Sequence, residues 1–241
     1  MRIWLGFGIA AIGMATSAQA AVTVTVEAAG VQATTAYSSA LTYIEDFSTR
    51  GPGTPNNNGT PDLADFTSTF GSASPVTGAF SGFQLGLPSS YGNNGALYGG
   101  AYGSTHYGIV HGDSTITLSK GVGYFDLWAA ALDGGNTVEL FNGATSLGSY
   151  NLVTTIGSLG GAYYGNPNNG ADANEPFAFV NFASNTPITS VQFHQGGGGG
   201  FEFDNVTLAG AVPEPAGWAL MLGGFGLIGG AMRRRAAAVA V

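Results

Sequence analysis

STITLSKGVGYFDLWAAALDGGNTVELFNG, residues 114–143, decides the fold class. Ser114 to Leu118 alternates polar and apolar residues, the period-two pattern of a half-buried strand. Lys120-Gly121 reads as a turn. Val122 to Ala130 (VGYFDLWAA) reads as an aromatic strand, and Asp133-Gly134-Gly135-Asn136 turns the chain back. Thr137 to Phe141 returns, Asn142-Gly143 turns again, and Ser146 to Leu152 continues. This is a β-meander written in turn chemistry.

Outward from it the same pattern recurs. Phe177 to Phe182 (FAFVNF), Ile188 to His194 (ITSVQFH) and Phe201 to Leu208 (FEFDNVTL) follow, with five glycines, 196–200, before the last. Val22 to Val26, Leu41 to Phe47 (LTYIEDF) and Phe80 to Leu87 precede it. Residues 28–40, 51–62, 89–104 and 157–176 are loops by composition. No window holds a helical period over three turns. The expected fold is all-β: an antiparallel β-sandwich, jelly-roll-like, with the first and last strands paired in one sheet.

The two ends are not fold material. Arg2, the apolar stretch Ile3 to Ala15 and the small-residue site Ala18-Gln19-Ala20 have the layout of a secretory signal cut after Ala20. A transmembrane or buried helix is the alternative, weakened by the short run and the small-residue site directly after it. Domain boundaries follow: residues 1–20 as signal peptide, 21–211 as β body, 212–235 as a C-terminal signal. The body holds two basic residues, Arg50 and Lys120, against thirteen carboxylates, a formal charge of −11. Such a domain repels phosphate backbones, so nucleic acid is not an expected partner. With no cysteine, disulfides and thiolate chemistry are excluded. Forty-one glycines occur without a triplet period, which excludes collagen.

Val212-Pro213-Glu214-Pro215 opens the C-terminal segment. Ala216 to Met232 carries no charge and, as a helix, would be about 26 Å long, enough for a bilayer core. Arg233-Arg234-Arg235 closes it and would stay cytoplasmic, orienting the body outward. The ordered set of Pro213, Glu214, Pro215, glycine-rich span and Arg233, Arg234, Arg235 resembles the PEP-CTERM sorting signal of Gram-negative bacteria. A plain single-span anchor is the alternative. The runs Tyr124 to Gly143, Tyr163 to Asn169, Glu175 to Phe182 and Gly200 to Ala209 also resemble a group of exosortase-dependent surface proteins. Ala129-Ala130-Ala131 departs from that group, which has an aromatic or a Gly-Ser pair there. The resemblance implies processing by signal peptidase and exosortase, transient inner-membrane anchoring, and association with extracellular polysaccharide or biofilm.

Few residues suggest chemistry. His106, His111 and His194 form no zinc motif, and no Gly-x-Ser-x-Gly elbow is present. A glycoside hydrolase needs a carboxyl pair. Glu202 and Asp204 share a strand face, although nothing in the sequence marks either as a desolvated, protonated acid. Jelly-roll carbohydrate-binding modules often hold a structural calcium between first and last strands; Glu45, Asp46 and Asp204 are the candidate oxygen ligands here. Tyr102, Tyr163 and Tyr164, among many loop asparagines, are candidate sugar-stacking residues. Trp128 reads as core. The expected function is that of a noncatalytic exported surface or matrix protein, with a carbohydrate-binding module as runner-up and a secreted hydrolase third.

Overall fold

The structure is a computed structural model and describes residues 22–35, 43–51, 60–72, 74–104, 106–156, 159–197 and 199–210. The expected signal peptide with Ala20, and the expected sorting segment over 212–235, lie outside the described residues. Among the described residues no helix is long and apolar enough to cross a membrane.

Eleven strands form one continuous antiparallel sheet. They are β1 (Val22–Val26), β2 (Ile44–Glu45), β3 (Phe66–Phe70), β4 (Val76–Ser81), β5 (Gln84–Gly86), β6 (Tyr107–Val110), β7 (Asp113–Ala130), β8 (Asn136–Asn142), β9 (Thr145–Asn151), β10 (Ala178–Gln195) and β11 (Phe201–Ala209). Three single-turn helices interrupt the connections: α1 (Ser90–Asn93), α2 (Gly95–Tyr98) and α3 (Leu152–Thr155). The main path runs β5-β6-β11-β7-β10-β8-β9, with β4 on β7, β3 on β4, β1 on β10 and β2 on β11.

The spine is the pair of eighteen-residue strands β7 and β10. Two strands were expected where β7 runs unbroken, with Lys120-Gly121 as a turn, and the structure corrects this. Gly121 stays in the strand because its missing side chain admits Pro187; a Cβ there would lie 2.5 Å from the proline Cβ. Between the pairs Ala183↔Tyr124 and Ile188↔Val122, residues 184–187 stand opposite the single Gly123. Between Ile188↔Val122 and Ser190↔Thr117, residues 118–121 stand opposite Thr189, and the register is restored. Paired bulges bend a ribbon sharply, and Pro187 is tolerated because a bulge asks for no ladder donor.

The bend divides the spine into two halves with different neighbours. Residues 124–130 of β7 pair with β11, and residues 180–184 of β10 pair with β1. Beyond the bend β4 flanks β7 and β8 flanks β10. Phe193, beyond the bend, stacks on Phe203 of β11 at 4.7 Å between ring centres, and Phe125 meets Phe193 edge to face. These ring contacts join the two halves in a phenylalanine-rich core.

Strand pairing at the ends differs in part from expectation. Val22–Val26 lies on β10, not on the last strand. The LTYIEDF segment does reach β11, through Val206↔Glu45 and Thr207↔Ile44. The single strand expected over 80–87 is two, β4 and β5, broken where Gly82 takes φ +83°. β3 was not foreseen: FTSTF carries two apolar residues in five, too few to stand out, and β4 pairs with it.

One face of β7 and β10 is covered a second time. Trp128, Ala130, Phe177 and Phe179 pack under Tyr98 and Ala101 of the 88–104 segment, so residues 124–130 of β7 are buried on both sides. Trp128 is core, as its sequence neighbours imply.

Candidate functional site

The doubly covered face carries the chemistry. Alternation places Tyr124, Asp126, Trp128 and Ala130 of β7 on it. The register sets Glu202 beside Ala130 and Asp204 beside Trp128. Asn205 then takes φ +48°, the register slips, and Thr207 comes beside Asp126. Glu202, Asp204 and Asp126 are all buried.

Each carboxyl has a different fate. Asp204 accepts the backbone N–H of Ala101 and of Asn205, both at 2.8 Å. Burial still raises its pKa well above the usual carboxylate range. Burial pushes Asp126 up to about 8, and the hydroxyls of Tyr124, Thr207 and Thr34 pull the other way. None of them meets both the distance and the angle of an ordinary hydrogen bond to either Asp126 oxygen.

Glu202 ends in a cavity of about 110 Å³, with Tyr91, Tyr98, Asp133 and Glu175 in its walls and Gly199 and Gly200 beside them. Burial pushes Glu202 up to about 8, and Glu175, desolvated and facing Asp172, up to about 7. Asp133 is raised by burial, against the pull of the Gly135 N–H. Gly200 admits this packing, since a Cβ there would lie 2.4 Å from Glu202 Oε1.

A hydrogen-bond chain leaves the cavity. Glu202 Oε1 is 3.2 Å from the Tyr91 hydroxyl, which is 3.0 Å from His111 Nε2. His111 Nδ1 is 3.1 Å from the Gly199 carbonyl oxygen. A carbonyl only accepts, so the His111 Nδ1 that bonds Gly199 carries hydrogen. The Tyr91 hydroxyl donates to Glu202 Oε1, which favours the ionised carboxylate and works against the burial that raises its pKa.

The calcium candidates are brought near one another but are engaged elsewhere. Glu45 pairs with Arg50 and with Ser68 Oγ, and accepts the Phe47 N–H at 3.0 Å. Asp46 accepts the Ser48 N–H and hydroxyl. Among the described residues no group of three acidic or imidazole side chains is placed to hold a metal ion.

Of the sugar-stacking candidates, Tyr102 is 67% exposed and Tyr164 46%. Tyr163 turns inward: its hydroxyl donates to the Glu27 carbonyl at 2.8 Å and its ring packs on the core. Tyr102 stands at φ +52° beside a second cleft of about 120 Å³ edged by Gly100, Gly103, Asn166, Asn168 and Asn169. Several of these amides hold the loops: Asn166 donates to the Leu97 carbonyl, Asn168 to that of Gly100, and Gln32 to Asn168.

The cavity itself was not foreseen. Its residues come from four stretches, and Asp133 read only as a turn residue. Asp126 had a visible signal, a lone carboxyl inside the apolar run YFDLWAA. The objection that nothing marks Glu202 as a desolvated acid is overturned by its burial. Compared with family models, with curated proteins and with solved structures, the chain matches none.

Proposed function

We propose that this chain is a noncatalytic exported surface protein, sorted by exosortase through its C-terminal signal and associated with extracellular polysaccharide. In this reading the two facing halves of the sheet form a jelly-roll-like β-sandwich. The ring contacts between Phe193, Phe125 and Phe203 support that architecture.

The observation that carries the polysaccharide reading is Tyr102. A large ring left 67% exposed gains little from folding, and a non-glycine residue at φ +52° costs about 1 kcal/mol or more. The backbone is nonetheless held there, its N–H donated to Gln32 Oε1. Strain kept in an exposed aromatic beside an amide-edged cleft fits a ring presented to a sugar face. The runner-up, a module with one defined glycan, draws on the same observation.

Two measurements test the reading. Intact mass of the mature protein is expected to show an N-terminus at Ala21 and an end near Pro213 to Pro215; a mature species retaining Arg233 to Arg235 sinks the sorting proposal. On a polysaccharide panel, Tyr102→Ala is expected to weaken binding several-fold, the loss of one stacked ring at about 1 kcal/mol. Release of reducing sugar by the wild type, abolished in Glu202→Gln, would make the protein an enzyme instead.

A further inference from the structure

We propose that the cleft edged by Gly100, Gly103, Ser104 and Asn169 holds one uncharged, hydroxyl-rich pyranose unit of a polysaccharide, with the Tyr102 ring set against the face of a neighbouring unit. The sugar part rests on the Tyr102 reading above; the restriction to an uncharged unit rests on the cleft and on the charge of the body.

The cleft lies where two loops meet, and both are fixed before any ligand arrives. Asn166, 2% exposed, donates to the Leu97 carbonyl at 3.1 Å and accepts the Asn168 N–H at 2.9 Å. Asn168 in turn donates to the Gly100 carbonyl at 3.3 Å and to Gln32 Oε1 at 3.2 Å. Gln32, itself buried, donates back to Asn168 Oδ1 and accepts the Tyr102 N–H. One amide network thus ties residues 97–102 of the first loop to residues 166–168 of the second. Tyr102 belongs to it and stands between Gly100 and the pair Gly103-Ser104, all three of them in the wall. A pre-formed cleft spares its ligand the entropy of ordering the loops.

The walls select an uncharged occupant. Glycine, proline, serine, tyrosine and asparagine make them, so no lining side chain carries a charge. Tyr107 donates its hydroxyl to the Gly95 carbonyl, and burial raises its pKa, which keeps the phenol neutral. Asp204 stands behind Gly100, fully buried, and accepts the Ala101 N–H. A uronate or other acidic unit would find no cation in the cleft, and the body, at a formal −11, repels an acidic polymer. An amino sugar would find no carboxylate there either. What the cleft does offer is hydrogen-bonding amide, hydroxyl and backbone groups, the last bared by glycine.

A pyranose matches this pairing of an exposed ring with an amide-edged cleft. Its C–H face packs on an aromatic ring while its rim of hydroxyls bonds to amides. At about 120 Å³ the cleft has room for about ten water-sized groups, enough for one sugar unit and not for a chain. At Gly103 an added Cβ would meet nothing within 4 Å, so the space next to Tyr102 stays open.

Calorimetry on the full chain tests this with neutral hexamers of glucose, mannose and galactose against hexagalacturonate and a deacetylated glucosamine hexamer, at about 0.05 and 0.5 M salt. At least one neutral hexamer is expected to bind about tenfold or more tighter than both charged ones, with the same affinity at either salt concentration. Two variants probe the cleft. Asn169→Asp keeps the acceptor for the Ala171 N–H and exchanges an amide donor for a charge. Gly103→Asn adds a side chain where space is open, and asparagine tolerates the φ of +75° there. Each is expected to weaken neutral binding about fivefold, the loss of about one hydrogen bond, with an unchanged melting temperature. Preference for a charged hexamer, or neutral binding untouched by both cleft variants, overturns the proposal. If the binding seen is then still weakened by Tyr102→Ala, the polysaccharide reading survives without it. Binding to none of the hexamers overturns both.

Discussion

The protein is expected to lose stability steadily as pH rises from about 4 to about 8, and Asp126→Asn is expected to remove much of that loss. In the unfolded chain Asp126 and Glu202 titrate near 3.8 and 4.5; in the folded chain burial moves each to about 8. Below pH 4 both states hold both protons and the folded form keeps its full advantage. Between 4 and 8 the unfolded chain has released protons that the folded chain retains. Each such group then removes up to about 1.4 kcal/mol per pH unit. The loss is complete once pH passes the folded values. Glu175, half-buried, adds a smaller share because solvent screens it. Total stability of a domain is about 5–15 kcal/mol, so this is a large effect. Urea midpoints at pH 5 and pH 8 measure it. The wild type should unfold at clearly lower urea at pH 8 than at pH 5, and the advantage of Asp126→Asn over the wild type should be much larger at pH 8 than at pH 5. Equal wild-type midpoints at the two pH values would contradict the burial of protonated acids on this face.

Arg50→Ala is expected to destabilise the fold by about 3–5 kcal/mol, the cost of leaving a buried charge without its partner. Glu45 is 1% exposed at the side chain, and Arg50 is its sole basic partner among the described residues. Arg50 Nε donates to Glu45 Oε1 at 3.1 Å, and the second arm reaches Glu45 Oε2 and Ser68 Oγ. The guanidinium also lies 3.9 Å over the Phe66 ring, adding an attraction that alanine forfeits. This cluster pins β2 and the turn after it to β3. Pairing Glu45→Gln with Arg50→Met should recover a good part of the loss, because the charge that needed a partner is gone. Chemical denaturation of the single and double variants decides it. A loss under about 1 kcal/mol for Arg50→Ala would place the pair among exposed, solvent-screened ones.

The sequence by itself determined the β class, the antiparallel meander around 114–143 and most strand positions. Period-two alternation and Asp-Gly or Asn-Gly turns act through neighbours a few residues apart, so they need no tertiary knowledge. It also determined the shared face of Glu202 and Asp204, which alternation alone dictates, and the approach of LTYIEDF to the last strand was read from it. Tertiary structure decided the rest. Lys120-Gly121 is a turn by local chemistry, yet residues 184–187 across the ladder absorb the bend and keep β7 extended. Asp126, Glu202 and Asp204 are ordinary carboxylates in a list of residues. They become buried acids because distant segments, among them those of Tyr98, Ala101 and Phe177, fold over their face. Tyr163 and Tyr164 are adjacent and chemically identical, and one anchors on Glu27 while the other stays in solvent. Burial depends on what distant segments cover, and desolvation, the largest cause of every raised carboxyl pKa here, therefore appears only once the chain has closed over itself.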